Sequence, residues 1–259
     1  MKPLAALDAH GVAALLFDID DTLTTGGKLT AQAYAALERL SGAGLRVVPV
    51  TGRPAGWCDH IARMWPVDAV VGENGAFYFA HAAGRLVKRY QDDAGTRARN
   101  RGRLLEIGES IVRRVPGAAL AADQPYRETD LAIDYREDVA QLPIAAAQRI
   151  AALMAEAGLT AKVSSIHVNG WFGGYDKLTM SRRLFAELFN VDLAAANRDI
   201  VFAGDSPNDA PMFAHFEKSV GVANVRQFET LIADKPKYVT RSPAGAGFAE
   251  LAEHLLRGR

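Results

Sequence analysis

Short apolar runs punctuate both ends of the chain, each followed by a polar turn and then by text of helical period. Residues 13–17 are apolar throughout and end at Asp18, Asp20 and Asp21. A strand without alternation is expected where helices cover both faces of a parallel sheet. Thr30 can cap a helix in which Ala33, Ala36, Leu37 and Leu40 share a face, and Gly42 or Gly44 can stop it. Residues 45–50 read as the next strand, with Pro49 an awkward member because it brings no N–H. Thr51-Gly52-Arg53-Pro54 and a short helix lead to a third strand over 67–71. This alternation predicts parallel β-α-β units.

The rhythm then changes. Residues 76–80 and 85–90, joined by His81-Ala82-Ala83-Gly84, predict an antiparallel hairpin. A helix is expected over 96–114, a strand over 131–135, and a helix opened by Pro143 and closed near Gly158. Strand-like runs follow at 161–168 and 171–172. From Asp176 the first rhythm returns, with a helix over 177–189, a strand over 200–203 and a last helix ending near Leu256. The pattern predicts an α/β protein with a doubly wound parallel-sheet core, residues 1–88 plus 173–259. An inserted α+β domain at residues 89–172 interrupts it.

Composition narrows the classes. With 49% hydrophobic and 23% charged residues, the chain can build a core without staples. Thirty Lys and Arg balance thirty Asp and Glu, so no net field draws it to nucleic acid or anionic lipid. The single cysteine, Cys58, excludes an internal disulfide framework and a Cys-rich zinc site. No run approaches the roughly 18 apolar residues of a membrane helix. A cytoplasmic protein with neither nucleic-acid nor membrane partners is expected, and no heptad run announces an oligomer.

Ligands of parallel α/β sheets bind beyond the carboxyl ends of the strands. Asp18 and Asp20, Thr51, Asp205 and Asp209 all follow strands, and Lys177 opens a helix. Gathered carboxylates repel one another unless a cation intervenes, and magnesium with oxygen ligands suits this set. Magnesium would also screen an incoming phosphate, so that a carboxylate can attack it. A second carboxyl two residues on shares the strand's side and can protonate the leaving oxygen. Thr51 and Lys177 would hold phosphate oxygens.

Phe17-Asp18-Ile19-Asp20-Asp21-Thr22-Leu23 resembles the first motif (DxDxT) of the haloacid dehalogenase-like superfamily. Val50-Thr51-Gly52-Arg53 resembles its second motif, Lys177 stands where the third belongs, and Gly204-Asp205-Ser206-Pro207-Asn208-Asp209 resembles the fourth. Gly72-Glu73-Asn74-Gly75 is similar to the segment after the third strand in the Cof-type branch, whose α/β cap lies between motifs two and three. The resemblance implies a Rossmann-like core with a cap domain. It implies Asp18 as nucleophile and magnesium ligand, and Asp20 as general acid and base that offers its carbonyl to the metal. Thr51, Gly52 and Lys177 would bind the substrate phosphate, and Asn208 would bind it too or orient Lys177. Asp205 would complete the metal site, with Asp209 as a further ligand or its support.

Blander readings accompany each residue. The two acids after the first strand can cap a turn, Asp205 and Asp209 can form an Asx-turn and an N-cap, and Thr51-Gly52 can be a simple β-α turn. Lys177 opposes its helix dipole, which points to an anion nearby. Of six scattered histidines, His167 stands out beside Asn169, Trp171 and Phe172. These four and Arg127 are candidates to contact the leaving group, or else they pack the cap sheet. Residues 85–114 carry a local charge of +5, a solvated face or a surface that steers anions. The expected activity is a magnesium-dependent phosphatase for a small phosphorylated metabolite, a sugar phosphate by resemblance. The alternatives are a phosphomutase and a non-catalytic phosphometabolite-binding protein.

Overall fold

The computed structural model describes residues 1–258. Its strands are β1 (Lys2–Pro3), β2 (Ala14–Phe17), β3 (Arg46–Pro49), β4 (Val70–Gly72), β5 (Phe77–Ala82), β6 (Arg85–Tyr90), β7 (Ala119–Leu120), β8 (Leu131–Asp134), β9 (Thr160–Val163), β10 (His167–Trp171), β11 (Ile200–Gly204), β12 (Lys218–Gly221) and β13 (Tyr238–Val239). The α-helices are α1 (Ala31–Gly42), α2 (Ala55–Met64), α3 (Ala94–Arg114), α4 (Ile144–Glu156), α5 (Lys177–Phe189), α6 (Ala210–His215) and α7 (Ala244–Arg257). None is long and apolar enough, among the described residues, to cross a membrane.

The main sheet runs β1-β13-β12-β11-β2-β3, with every pairing parallel. Alternate residues serve opposite faces. Leu15, Phe17, Val47, Val201 and Ala203 pack under α1 and α7, and Leu16, Val48, Ile200 and Phe202 under α5 and α6. That double burial is why these strands read as unbroken apolar runs. Thr30 caps α1 as expected, its hydroxyl accepting the Ala33 N–H. Pro49 is tolerated because the flanking N–H groups of Arg46 and Val50 donate to β2. The missing donor at Pro49 faces the open side, where β3's extension meets β4 only at the Val50–Val71 bridge.

β4 corrects the expectation of a third parallel strand over 67–71. It begins at Val70, because the Val67 N–H turns back to Trp65 and Asp68 accepts the Val47 N–H. It then pairs antiparallel with β5 in a separate β4-β5-β6 sheet. The hairpin turn is tighter than expected: Ala83 and Gly84, at φ 50° and 72°, suffice. β6 continues to Tyr90, past the boundary expected at residue 88.

Residues 94–171 carry the third sheet, β7-β8-β10-β9, backed by α3 and α4 around Leu104, Ile111, Leu131, Ile150 and Val168. The single strand expected over 161–168 is two strands. Ser164 breaks it by donating its N–H to the His167 carbonyl while its hydroxyl accepts the His167 N–H, and β10 folds back on β9. Both halves mix polar and apolar residues, so Ser164 and Ser165 do not stand out as a break. The α/β core with an inserted α+β unit is as expected.

Candidate active site

Strand register brings the chemistry to one level. Phe17 pairs with Ala203 on one side and Pro49 on the other, so Asp18, Asp205 and Thr51 emerge close together at the carboxyl edge. The chain leaves β2 for β3 on one side and returns to β11 on the other, which makes this the switch point of the sheet.

α5 delivers Lys177. Asp176 caps the helix by accepting the Thr179 N–H at 2.8 Å. Gly75, at φ 108°, lets the turn after β4 lie against that helix start, since a Cβ there would stand 2.0 Å from the Asp176 carbonyl oxygen. Lys177 Nζ donates to Asp18 Oδ1 at 2.6 Å and to Asp209 Oδ1 at 2.7 Å, with all three residues buried. The other Asp209 oxygen accepts the N–H groups of Asp205 and Ser206, at 3.0 and 3.3 Å. The capping that the bland reading foresaw therefore coexists with the pairing to Lys177. Asp205 accepts from Asn224 Nδ2 at 2.9 Å, and Asn224 Oδ1 accepts the Ala244 N–H at the start of α7.

Oxygens of Asp18, Asp205 and Asp209 lie within 4.8 Å of one another. Burial pushes the Asp18 carboxyl up to about 8, against the pull of Lys177 and with Asp209 and Asp20 adding to the rise. Burial, then the charges of Asp18 and Asp209, also lift Asp205 well above the carboxylate range. Lys177 is raised despite its burial, because two carboxylates hold its proton. Three buried carboxylates thus share one ammonium. Hard oxygen donors short of positive charge fit a divalent cation such as magnesium. Both Asp209 oxygens are engaged by Lys177 and backbone N–H groups. Lys177 takes only one Asp18 oxygen and Asp205 Oδ1 has only a long 3.4 Å contact from Thr22, so Asp18 and Asp205 are the donors best able to hold one.

The Asp20 side chain lies outside that group. Arg53 grips it through Nε and Nη2 at 2.9 and 2.7 Å. The same guanidinium reaches Glu137 of the inserted unit at 2.6 Å, and Glu137 lies 2.9 Å from His167 Nε2. Burial works against the Glu137 charge, but His167 and Arg53 outweigh it and hold the carboxyl down at about 2. A second junction stands beside this one. Arg127 donates to the Gly52 carbonyl oxygen at 2.8 Å and to Asp130 at 2.9 Å. Asp130 also accepts from Asn169 and Asn74, and Asn74 accepts from Asn208 at 3.2 Å. Glu73 completes the closure by accepting the N–H groups of Glu128, Thr129 and Asp130 and the Thr129 hydroxyl.

His167, Asn169 and Arg127 therefore reach the site region through polar networks. Trp171 and Phe172 do not reach it. The Trp171 indole stacks on Tyr175 and donates to its carbonyl, within an apolar cluster that includes Ile19 and Phe77. Phe172 packs on the α3–α4 core beneath Arg103. Thr51 Oγ1 accepts the Arg53 N–H at 3.0 Å, a β-α turn bond that leaves its hydroxyl proton free to donate. The basic segment does not line the carboxylates. Lys88, Arg97 and Arg101 border a groove of about 810 Å³ against α2 that contains none of the motif residues. Sequence reasoning missed the roles of Arg53, Glu73 and Asn74, although they stand inside quoted motifs. Glu137 and Asn224 carried no local cue, being placed only by the packing of distant segments.

Residues 15–94 match the family model for haloacid dehalogenase-like hydrolases. The whole chain superposes on the Thermoplasma acidophilum protein 0175 with a TM-score of 0.72 and 18% identity, covering 95% of this chain and 99% of that one. A HAD/COF-like hydrolase from Plasmodium vivax gives 0.70 and 17%, with 96% and 97% covered. The sucrose-phosphatase of Synechocystis sp. PCC6803, solved with sucrose and phosphate, gives 0.62 and 14%, with 95% and 98% covered. The resemblance drawn from the motifs holds: the chain has the haloacid dehalogenase-like fold with its cap.

Proposed function

We propose that the protein is a magnesium-dependent phosphatase of a small phosphorylated metabolite, a sugar phosphate or a near relative. The observation that carries this reading is Lys177 between Asp18 and Asp209, buried beside Asp205 at the switch point of a parallel sheet. Asp18 attacks phosphorus and forms an aspartyl-phosphate, dividing one displacement into two. Asp20, oriented by Arg53, gives its proton to the leaving alcohol and then takes one from the water that hydrolyses the intermediate. Lys177 and Thr51 bind the phosphoryl oxygens, and Asp209 holds Lys177 and the 204–209 turn in place. Asp18, Asp205 and the Asp20 carbonyl would hold magnesium, which when bound screens the charge between phosphate and nucleophile. Residues 89–172 act as the cap that roofs the cleft and excludes bulk water.

The test is phosphate release from a panel of phosphorylated metabolites, with magnesium or EDTA, for wild type beside Asp18→Asn. Magnesium-dependent release that falls at least about 1,000-fold in the mutant supports the reading. Release that survives the substitution refutes the nucleophile. Turnover that appears only with a sugar bisphosphate activator transfers the case to a mutase.

A further inference from the structure

A cavity of about 290 Å³ lies between the two units, with the Asp21 and Asp205 side of the core as one wall and Arg136, Gln141 and Ser165 of the inserted unit as the other. We propose that it is a leaving-group pocket selective for phosphomonoesters whose alcohol bears a second anionic group, and that Arg136 reads that group. The inference rests on the phosphatase reading and narrows its substrate class.

Two observations carry it. Arg136 joins no ion pair among the described residues. Its Nε makes a long 3.4 Å contact with the Leu142 carbonyl, and its guanidinium stands 5.1 Å from the Tyr135 ring. Its neighbours Arg53 and Arg127, by contrast, are each paired with two or more carboxylates. Independently, Ser165 is 7% exposed and its hydroxyl, beside the Asp21 carboxylate, completes no close hydrogen bond. A buried hydroxyl without a partner costs free energy until a ligand satisfies it.

Charge decides the orientation. Arg136 is the one cationic side chain lining the cavity, so the charged end of a leaving group points to the Arg136 wall. A neutral polyol filling so small a cavity would displace the water around the guanidinium and return no charge. That penalty selects against neutral esters, while an anion receives a charge-assisted hydrogen bond. A volume near the lower limit of small-molecule pockets admits about one sugar-sized group.

The experiment compares 6-phosphogluconate, fructose 1,6-bisphosphate and glucose 6-phosphate, which carry a carboxylate, a second phosphate and no second anion. Calorimetric binding to Asp18→Asn with magnesium is measured beside kcat/KM of the wild type. One or both charged esters should be favoured over glucose 6-phosphate by about 10- to 100-fold in both measurements, and which one leads identifies the anion. Adding Arg136→Met should bring that ratio to about parity, and Arg136→Lys should restore part of it. Equal binding of charged and neutral esters, or a preference that survives Arg136→Met, overturns the proposal. If the wild type releases phosphate neither from these three nor from any ester of the wider panel, the phosphatase reading is what fails, and the binding series still decides the pocket.

Discussion

Burial of Asp18, Asp205 and Asp209 around the single Lys177 ammonium costs stability. Asp18 is raised from the ordinary 3.8 to about 8 and Asp205 is raised too, each chiefly by burial. A carboxyl raised in the folded state binds more protons than in the unfolded chain between the two values. Stability therefore falls as pH rises through that window. In EDTA, Tm should decline from about pH 5 to about pH 8, and the Tm gained on adding magnesium should grow over the same range, because a metal displaces those protons. A magnesium increment that is flat with pH would contradict the shared-charge picture. Lys177→Met leaves two buried carboxylates with no ammonium and should cut kcat at least about 1,000-fold. Retained turnover in that variant would remove Lys177 from the site. At this scale the sequence was legible: apolar runs that stop at Asp18, Thr51 and Asp205 announced strand ends. The Arg53 grip on Asp20 was not, because it joins two strand ends 33 residues apart, and the further link to Glu137 needs the inserted unit brought across the cleft.

Among the elements, the turn at Glu73-Asn74-Gly75 has the most to explain. All three residues have positive φ, at 42°, 56° and 108°, and two of them are not glycine, which is a strained arrangement. The strain is offset by what the turn holds. Glu73 accepts the Ala55 N–H at the start of α2 and three backbone donors of the inserted unit. Glu73→Ala would leave those donors buried without an acceptor. A loss of about 3 kcal/mol, or ~6–12 °C in Tm, is expected by calorimetry. A change within about 1 °C would show that water replaces the carboxylate. Gly75→Ala should displace Lys177 and lower kcat more than it raises KM, since the intruding Cβ meets Asp176 rather than substrate. A pure KM effect would count against that route. Helices were read well here because caps and small-residue stops mark their ends, as at Thr30 and Pro143. The turn after β9 was not, because its serines lie between strands that already mix polar and apolar residues.

For the whole molecule, the inserted unit sits closed on the core through Glu137–Arg53, Arg127–Gly52 and Glu73 with residues 128–130. We propose that Glu137–Arg53 is the contact that yields when substrate enters, being the most exposed of the three. Glu137→Ala should then speed amide hydrogen exchange across residues 128–130 and lower KM, while Tm changes little. Unchanged exchange would mean that Glu73 alone sets the closure. The sequence by itself determined the doubly wound core, the interruption in its middle and the carboxylates, threonine and lysine of the site. Local period and strand-end chemistry are written in contiguous residues. Tertiary structure alone decided that Asp209 pairs with Lys177 and caps its own turn, that Trp171 stacks on Tyr175 in an apolar cluster, and that Arg136 stands unpaired among the described residues across from Asp205. Each of those outcomes depends on which distant side chains compete for the same oxygen, ring face or charge, and that competition is settled only when the segments meet.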